Sequence, residues 1–251
     1  MEQRIQRIVE AKKKQQQSQS STSLNLEEEK QYRCPKCKDR EFIFVIDQDG
    51  KEWAKDCECR KIRQHERRIA NSHIAKTFRD KGFGNFKEIT EKHSMLKKCV
   101  MDFFTEKKIQ EHSILFTGQV GSGKTHLAMA LTNNLLKQGK EVIYIDYRTF
   151  ISKLKQSITD KEEYQKLINE VKNAEILFID DLFKGKVTDA DINAMFELVN
   201  HRYLSGGKLI VTSELSVENL KKIDEAIASR IVEMANGYVI NMPGINYRLK
   251  K

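Results

Sequence analysis

The stretch Gly118-Gln119-Val120-Gly121-Ser122-Gly123-Lys124-Thr125 decides the fold. It has the form G-x-x-x-x-G-K-[ST] and stands between an apolar run, Ser113 to Thr117, and a helical stretch, Thr125 to Lys137. That setting is what a phosphate loop requires. The glycines let the backbone curl until its N–H groups face one point, and the N-terminus of the next helix adds partial positive charge there. In such a loop Lys124 reaches the β- and γ-phosphates and the Thr125 hydroxyl ligates Mg²⁺. The bland alternative, a chance match in a Gly-rich turn, is weakened by the strand before it and the helix after it. Residues 118–125 are therefore the candidate segment for binding ATP or ADP.

Outward from this loop the pattern repeats. Short apolar runs at Glu141 to Tyr147, Glu175 to Ile179, Lys208 to Thr212 and Tyr238 to Met242 join Ser113 to Thr117 as strand candidates. Helical stretches near Thr149 to Ile158, Lys161 to Asn173, Asp189 to Leu204 and Glu218 to Met234 lie between them. Strands alternating with helices predict βαβ units, and so an α/β domain with a five-stranded parallel sheet. Within it Ile176-Leu-Phe-Ile-Asp180-Asp181 is the second chemical signal. Four apolar residues mark a buried strand, which puts two carboxylates at the end where parallel sheets bind ligands. Asp180 then completes the Mg²⁺ shell with Thr125, and Asp181 is the candidate for polarising an attacking water. The alternative is a helix N-cap pair. Asp181 is one methylene shorter than a Glu, which points to slow hydrolysis.

The third signal is Cys34-Pro-Lys-Cys37 followed, nineteen residues on, by Cys57-Glu-Cys59. Paired cysteines around a hairpin, with Asp49-Gly50 as the turn in EFIFVIDQDGKEWAKD, suit a closed tetrahedral Zn²⁺ site with a structural role. A redox CxxC and replacement of one ligand by His65 are the rivals. Cys99, alone in a helical stretch, reads as a core residue. After the second pair, Arg60 to Arg79 is a basic helix candidate carrying seven Lys/Arg and one Glu. It is a first guess for contact with nucleic acid, against the alternative of a solvated helix face.

Composition sets the outer limits. At about 150 residues per domain, 251 residues give one full core plus an appendage. With 32% charged residues, 2 Pro and 12 Gly, the chain is neither fibrous nor a disulfide miniprotein. The longest strongly apolar run, Phe42 to Ile46, is far short of the ~20 residues that cross a bilayer, which predicts no membrane span and a cytoplasmic protein. The net charge of +9 is denser near the N-terminus, where residues 1–80 hold 19 Lys+Arg against 14 Asp+Glu. Residues 15–23, QQQSQSSTS, read as a polar linker after a short amphipathic helix. The expected division is therefore a helix and linker over 1–30, a zinc element and basic helix over 31–80, and an ATPase domain over 81–251.

In this order, phosphate loop, Asp180-Asp181, Thr212-Ser-Glu214, Ser229-Arg230-Ile231 and terminal Asn246-Tyr-Arg248, the chain resembles the DnaC/DnaI group of AAA+ helicase loaders, over about residues 72–251. The CPKC…CEC element and Phe83-Gly-Asn-Phe86 resemble its phage and prophage branch. Taken alone, Arg230 and Arg248 read as surface ion-pair residues. The resemblance implies that Arg230 is an arginine finger acting on a neighbouring subunit and Arg248 a sensor-2 arginine acting in its own. It also implies a homo-oligomeric, slow, DNA- or partner-stimulated ATPase that helps load a DnaB-type helicase onto single-stranded DNA when replication starts. One position departs from the family: Glu214 stands where sensor 1 is usually Asn, so either Thr212 or Ser213 does that work or sensing is altered. An IstB-like transposition helper and a scaffold that binds nucleotide without turnover are the competing functions. The cysteine element is not part of the usual IstB pattern.

Overall fold

The computed structural model describes residues 32–47, 50–71, 78–242, 244, 246, 247 and 249. The N-terminal helix and linker expected over 1–30, and Arg248, lie outside these residues. Residues 35–39 form turns in which the Asp39 carboxylate accepts the N–H groups of Arg33 and Cys34. The expected hairpin forms from β1 (Phe42–Ile46) and β2 (Glu52–Asp56), antiparallel, with Phe42 opposite Asp56 and Ile46 opposite Glu52. Its turn is held by Asp47, whose carboxylate accepts the Lys51 N–H at 2.8 Å, and by Gly50 at φ +77°. The basic helix follows as α1 (Glu58–Asn71), ending short of the expected Arg79; residues 72–77 lie outside the described set.

The α/β core begins with α2 (Glu91–Thr105) and continues β3 (Ile114–Thr117), α3 (Lys124–Lys137), β4 (Val142–Asp146), α4 (Tyr147–Gln156), α5 (Lys161–Lys172), β5 (Ile176–Asp180), α6 (Asp189–Leu204), β6 (Lys208–Ser213), α7 (Val217–Ile223), α8 (Glu225–Ala235) and β7 (Val239–Asn241). All five strands of its sheet are parallel, in the order β4-β5-β6-β3-β7. Both faces are covered, and the period of two along each strand shows how. Leu115, Leu177, Ile179, Leu209 and Val211 pack into one apolar layer with residues of α4 to α8, such as Phe150, Ile168, Leu198, Leu220 and Ile227. Their neighbours Ile114, Phe116, Ile176, Phe178 and Ile210 enter the other layer with Val100 and Phe103 of α2 and Leu127, Leu131 and Leu135 of α3. Each central strand is buried along its length, so its sequence reads as an unbroken apolar run rather than an alternating one.

Two expectations are corrected. The helix expected over Glu218 to Met234 is broken at Asp224, which is extended (φ −156°, ψ 113°) and accepts the Ile227 N–H at 2.7 Å. An aspartate at that place caps a new helix more favourably than it continues an old one. Cys99 lies at the margin of the second layer, half-buried, rather than within it; burial and the nearby Asp102 push its thiol pKa up. Elsewhere caps set the boundaries: α4 starts two residues earlier than expected because Asp146 accepts the Thr149 N–H at 2.9 Å.

Candidate nucleotide site

The order of strands brings three C-terminal ends together, those of β5, β6 and β3. Phe116 pairs with Thr212 and Thr117 with Ser213 across the β3–β6 ladder, and β5 flanks β6 on its other side. The phosphate loop leaves β3 there, and Asp180 ends β5 beside it. A cavity of about 580 Å³ opens over these ends, lined by Val120 to Thr125, Asp180, Asp181, Lys184 and Glu214 at one end and by Phe86, His126 and Tyr247 among others.

The loop has the curled backbone that the sequence demands, with Gly121 at φ +73° and Gly123 at φ +94° as the N-cap of α3. A side chain at Gly123 is disfavoured for a second reason: a Cβ there would lie 2.9 Å from the Phe86 ring, which would have to shift. Gly118 and Gln119 do not line the cavity; their carbonyls accept the Lys124 ammonium at 2.7 and 2.9 Å. Burial lowers the Lys124 pKa, against the pull of Asp181, Glu214 and Asp180. Residues 246 and 247 also close over the loop, the Tyr247 N–H donating to the Gly121 carbonyl at 2.9 Å.

Asp180 is gripped by three hydroxyls. Thr125 and Thr212 donate to Oδ1 at 2.9 and 2.5 Å, and Tyr144 donates to Oδ2 at 3.2 Å. Hard oxygens at this place, with Thr125 at the start of α3, suit Mg²⁺. Burial pushes the Asp180 carboxyl up to about 6, the hydroxyl bonds pulling it down and Asp181 adding to the rise. Because the folded state holds this proton more tightly than the unfolded chain, the contribution to stability is full below the ordinary value of 3.8 and is lost as pH rises through about 6. Asp180→Asn is therefore expected to raise stability at pH 8, without Mg²⁺ or nucleotide, by up to ~3 kcal/mol, with the gain fading towards pH 4. Urea unfolding of both proteins across that range checks it, and parallel profiles would show the expectation to be wrong.

Asp181 occupies the left-handed region at φ +55°, its N–H donating to Thr212 Oγ1 at 2.8 Å and its carboxylate accepting Lys184 at 2.7 Å. Lys184 also lies 2.8 Å from Glu214. Of the alternatives at the end of β6, Thr212 serves Asp180, and the Ser213 hydroxyl donates to the Leu182 carbonyl at 2.8 Å. Neither lines the cavity, whereas Glu214 does. Lys184 carries no sequence signal of its own, since a lysine three residues past an aspartate is commonplace.

Arg230 does not line this cavity. It stands on α8, donates to the Ala226 carbonyl at 2.9 Å, and stacks over the rings of Phe196 and Tyr203 of α6 at 5.2 and 5.6 Å. In the N-terminal part, the sulfurs of Cys34, Cys37, Cys57 and Cys59 all lie within 4.8 Å of one another, and Cys37 and Cys57 are buried. Four clustered thiols are the donor set of a structural zinc site.

A phosphate loop after β3, an acidic end to β5 and a five-stranded parallel sheet between helical layers define an AAA+ ATP-binding domain. The comparison with known families agrees: residues 45–251 match the model of IstB-like ATP binding proteins, and the chain belongs to that family. It is 35% identical over 231 residues to the phage-like element PBSX protein XkdC of Bacillus subtilis (strain 168), covering 87% of this chain and 85% of that one. Among solved structures, the DnaC helicase loader has the same fold with a TM-score of 0.60 at 21% identity, over 67% of this chain and 100% of that one. AMPPCP-bound DnaA from Aquifex aeolicus gives 0.55 at 23%, over 64% of this chain and half of that one. Among the described residues, no helix is long and apolar enough to cross a membrane.

Proposed function

We propose that this chain is an ATP-dependent loader that places a hexameric DnaB-type helicase on single-stranded DNA at the start of replication. The observation that carries the reading is the pairing, in one chain, of this nucleotide cavity with the four-cysteine cluster ahead of it. The cluster takes Zn²⁺ and stabilises the N-terminal element, which grips the helicase, while the AAA+ domain binds Mg-ATP and DNA. In this reading the two parts are residues 31–80 and 81–251.

In the site, Lys124 and the loop N–H groups hold the phosphates, and Thr125 with Asp180 holds Mg²⁺, which neutralises charge on the phosphate oxygens. Asp181 orients and polarises the attacking water. Arg230, on α8, reaches the terminal phosphate bound by a neighbouring copy, and Arg248 completes the site in its own chain. Arg230→Ala is then expected to leave nucleotide affinity within about twofold while cutting oligomer-dependent hydrolysis on the order of a thousandfold. Undiminished hydrolysis would remove Arg230 from this role.

The family match supports a second reading, an IstB-like transposition helper that binds a transposase and duplex DNA. Native mass spectrometry of the chain with its replicative helicase, with and without Mg-ATP, separates the two. A complex holding several copies of this chain is the outcome expected of a loader, and no complex in either condition favours the helper.

A further inference from the structure

Glu214 raises a chemical problem at the end of β6. A carboxylate has no proton to give, so it cannot bind a terminal phosphate as an amide would, and alone it would repel one. Lys184 resolves this. Its ammonium sits 2.8 Å from Glu214 Oε1 and donates to Asp181 Oδ2 at 2.7 Å, and all three side chains line the cavity that Lys124 also lines. Burial works against the Lys184 charge, but the bonds to Asp181 and Glu214 outweigh it.

Lys124 and Lys184 thus share the cavity lining with the carboxylates of Asp180, Asp181 and Glu214, all close enough to act on the Lys124 charge. Asp180 is already spoken for by its three hydroxyls. Asp181 is tied to Lys184, and a carboxylate held in an ion pair is a weaker acceptor for water. An ammonium has three protons, so Lys184 can keep Glu214 while it changes its other partner. Lys184 also borders a second hollow of about 190 Å³ lined by Tyr147, Arg148 and Lys186, and the next residue, Gly185, is at φ +88°.

We propose that Lys184, anchored by Glu214, is the terminal-phosphate contact of this site: it exchanges Asp181 for an oxygen of the γ-phosphate, so that a triphosphate, but not a diphosphate, releases Asp181 to act on water. The lysine–glutamate pair thereby does the work of the neutral polar side chain that Glu214 displaces. This rests on reading the cavity as an ATP site.

The test is the affinity of wild type, Lys184→Met and Lys184→Arg for Mg-ADP and for a Mg-bound non-hydrolysable ATP analogue, with thermal melting to confirm folding. Lys184→Met is expected to weaken the analogue about tenfold or more while ADP changes less than twofold, the loss typical of one charge-assisted hydrogen bond. Lys184→Arg should keep the preference within threefold. Adding Glu214→Asn to Lys184→Met should restore part of it, because the amide can donate to the phosphate directly. If Lys184→Met weakens both nucleotides equally, or leaves the wild-type preference intact, this inference falls and the ATP-site reading stands. If wild type binds neither nucleotide, both fall.

Discussion

Lys124→Ala is expected to lose Mg-nucleotide binding by at least a hundredfold while the fold survives. The ammonium is buried at 4% exposure and held by the Gly118 and Gln119 carbonyls. In the proposed site its charge serves the β- and γ-phosphates, and one charge-assisted contact to each is worth about 1.5 to 3 kcal/mol. Two such contacts multiply to a factor of hundreds or more. The stability cost is smaller, because burial already disfavours the charge, as its lowered pKa records. Calorimetric titration with a Mg-bound non-hydrolysable ATP analogue and urea unfolding of the same protein separate the two effects. Wild-type affinity in the variant would remove Lys124 from the site. Zinc content should be unchanged, since the cysteine cluster does not involve the phosphate loop.

Arg202→Met is expected to do the reverse, damaging the fold rather than the site. Arg202, in the last turn of α6, is 1% exposed. Its guanidinium donates to the carbonyls of Lys172 at 3.1 Å, Glu175 at 3.1 Å and Lys208 at 2.7 Å, and also to that of Ala174. One side chain thus gathers the end of α5 and the entries to β5 and β6. Burial brings its pKa down only to about 10, so it stays charged at neutral pH. Truncation strands four carbonyls in an apolar setting, and a loss of about 3 to 5 kcal/mol follows. Arg202→Lys should recover little, since a point-like ammonium cannot span the same fork. Gly207→Ala should destabilise through the same residue, its Cβ falling 2.5 Å from the Arg202 Cζ, which four hydrogen bonds hold in place. Urea midpoints at constant slope measure all three, and a loss below ~1 kcal/mol for Arg202→Met would show that the carbonyls find other partners.

These two residues mark the reach of the sequence. Lys124 was legible because the chemistry of a phosphate loop fixes residue types at fixed spacing on one continuous segment. The same holds for Asp180 and Asp181 at the end of an apolar run, for the two cysteine pairs, and for the five strands, whose cores match the structure to within a residue or two at each end. Arg202 was invisible. Its partners are backbone carbonyls up to thirty residues away, and a carbonyl has no letter in the sequence. The Asp224 break is hidden in the sequence for a milder reason: a cap and an exposed helical aspartate look alike until the direction of the chain beyond them is known.

What the sequence by itself determined is local and periodic: the phosphate loop, the acidic strand end, the cysteine pairs, and the βαβ alternation that makes the sheet parallel. Strand order was decided only by tertiary structure, because β4, β5 and β6 follow chain order while β3 comes to lie between β6 and β7 through packing of both apolar layers. That order places Thr212 on Asp180 and sets Glu214 and Lys184 together over Asp181. The contacts of Thr212 with Asp180 and of Glu214 with Lys184 join residues some thirty positions apart, with energies that depend on burial and geometry, neither of which any segment carries alone.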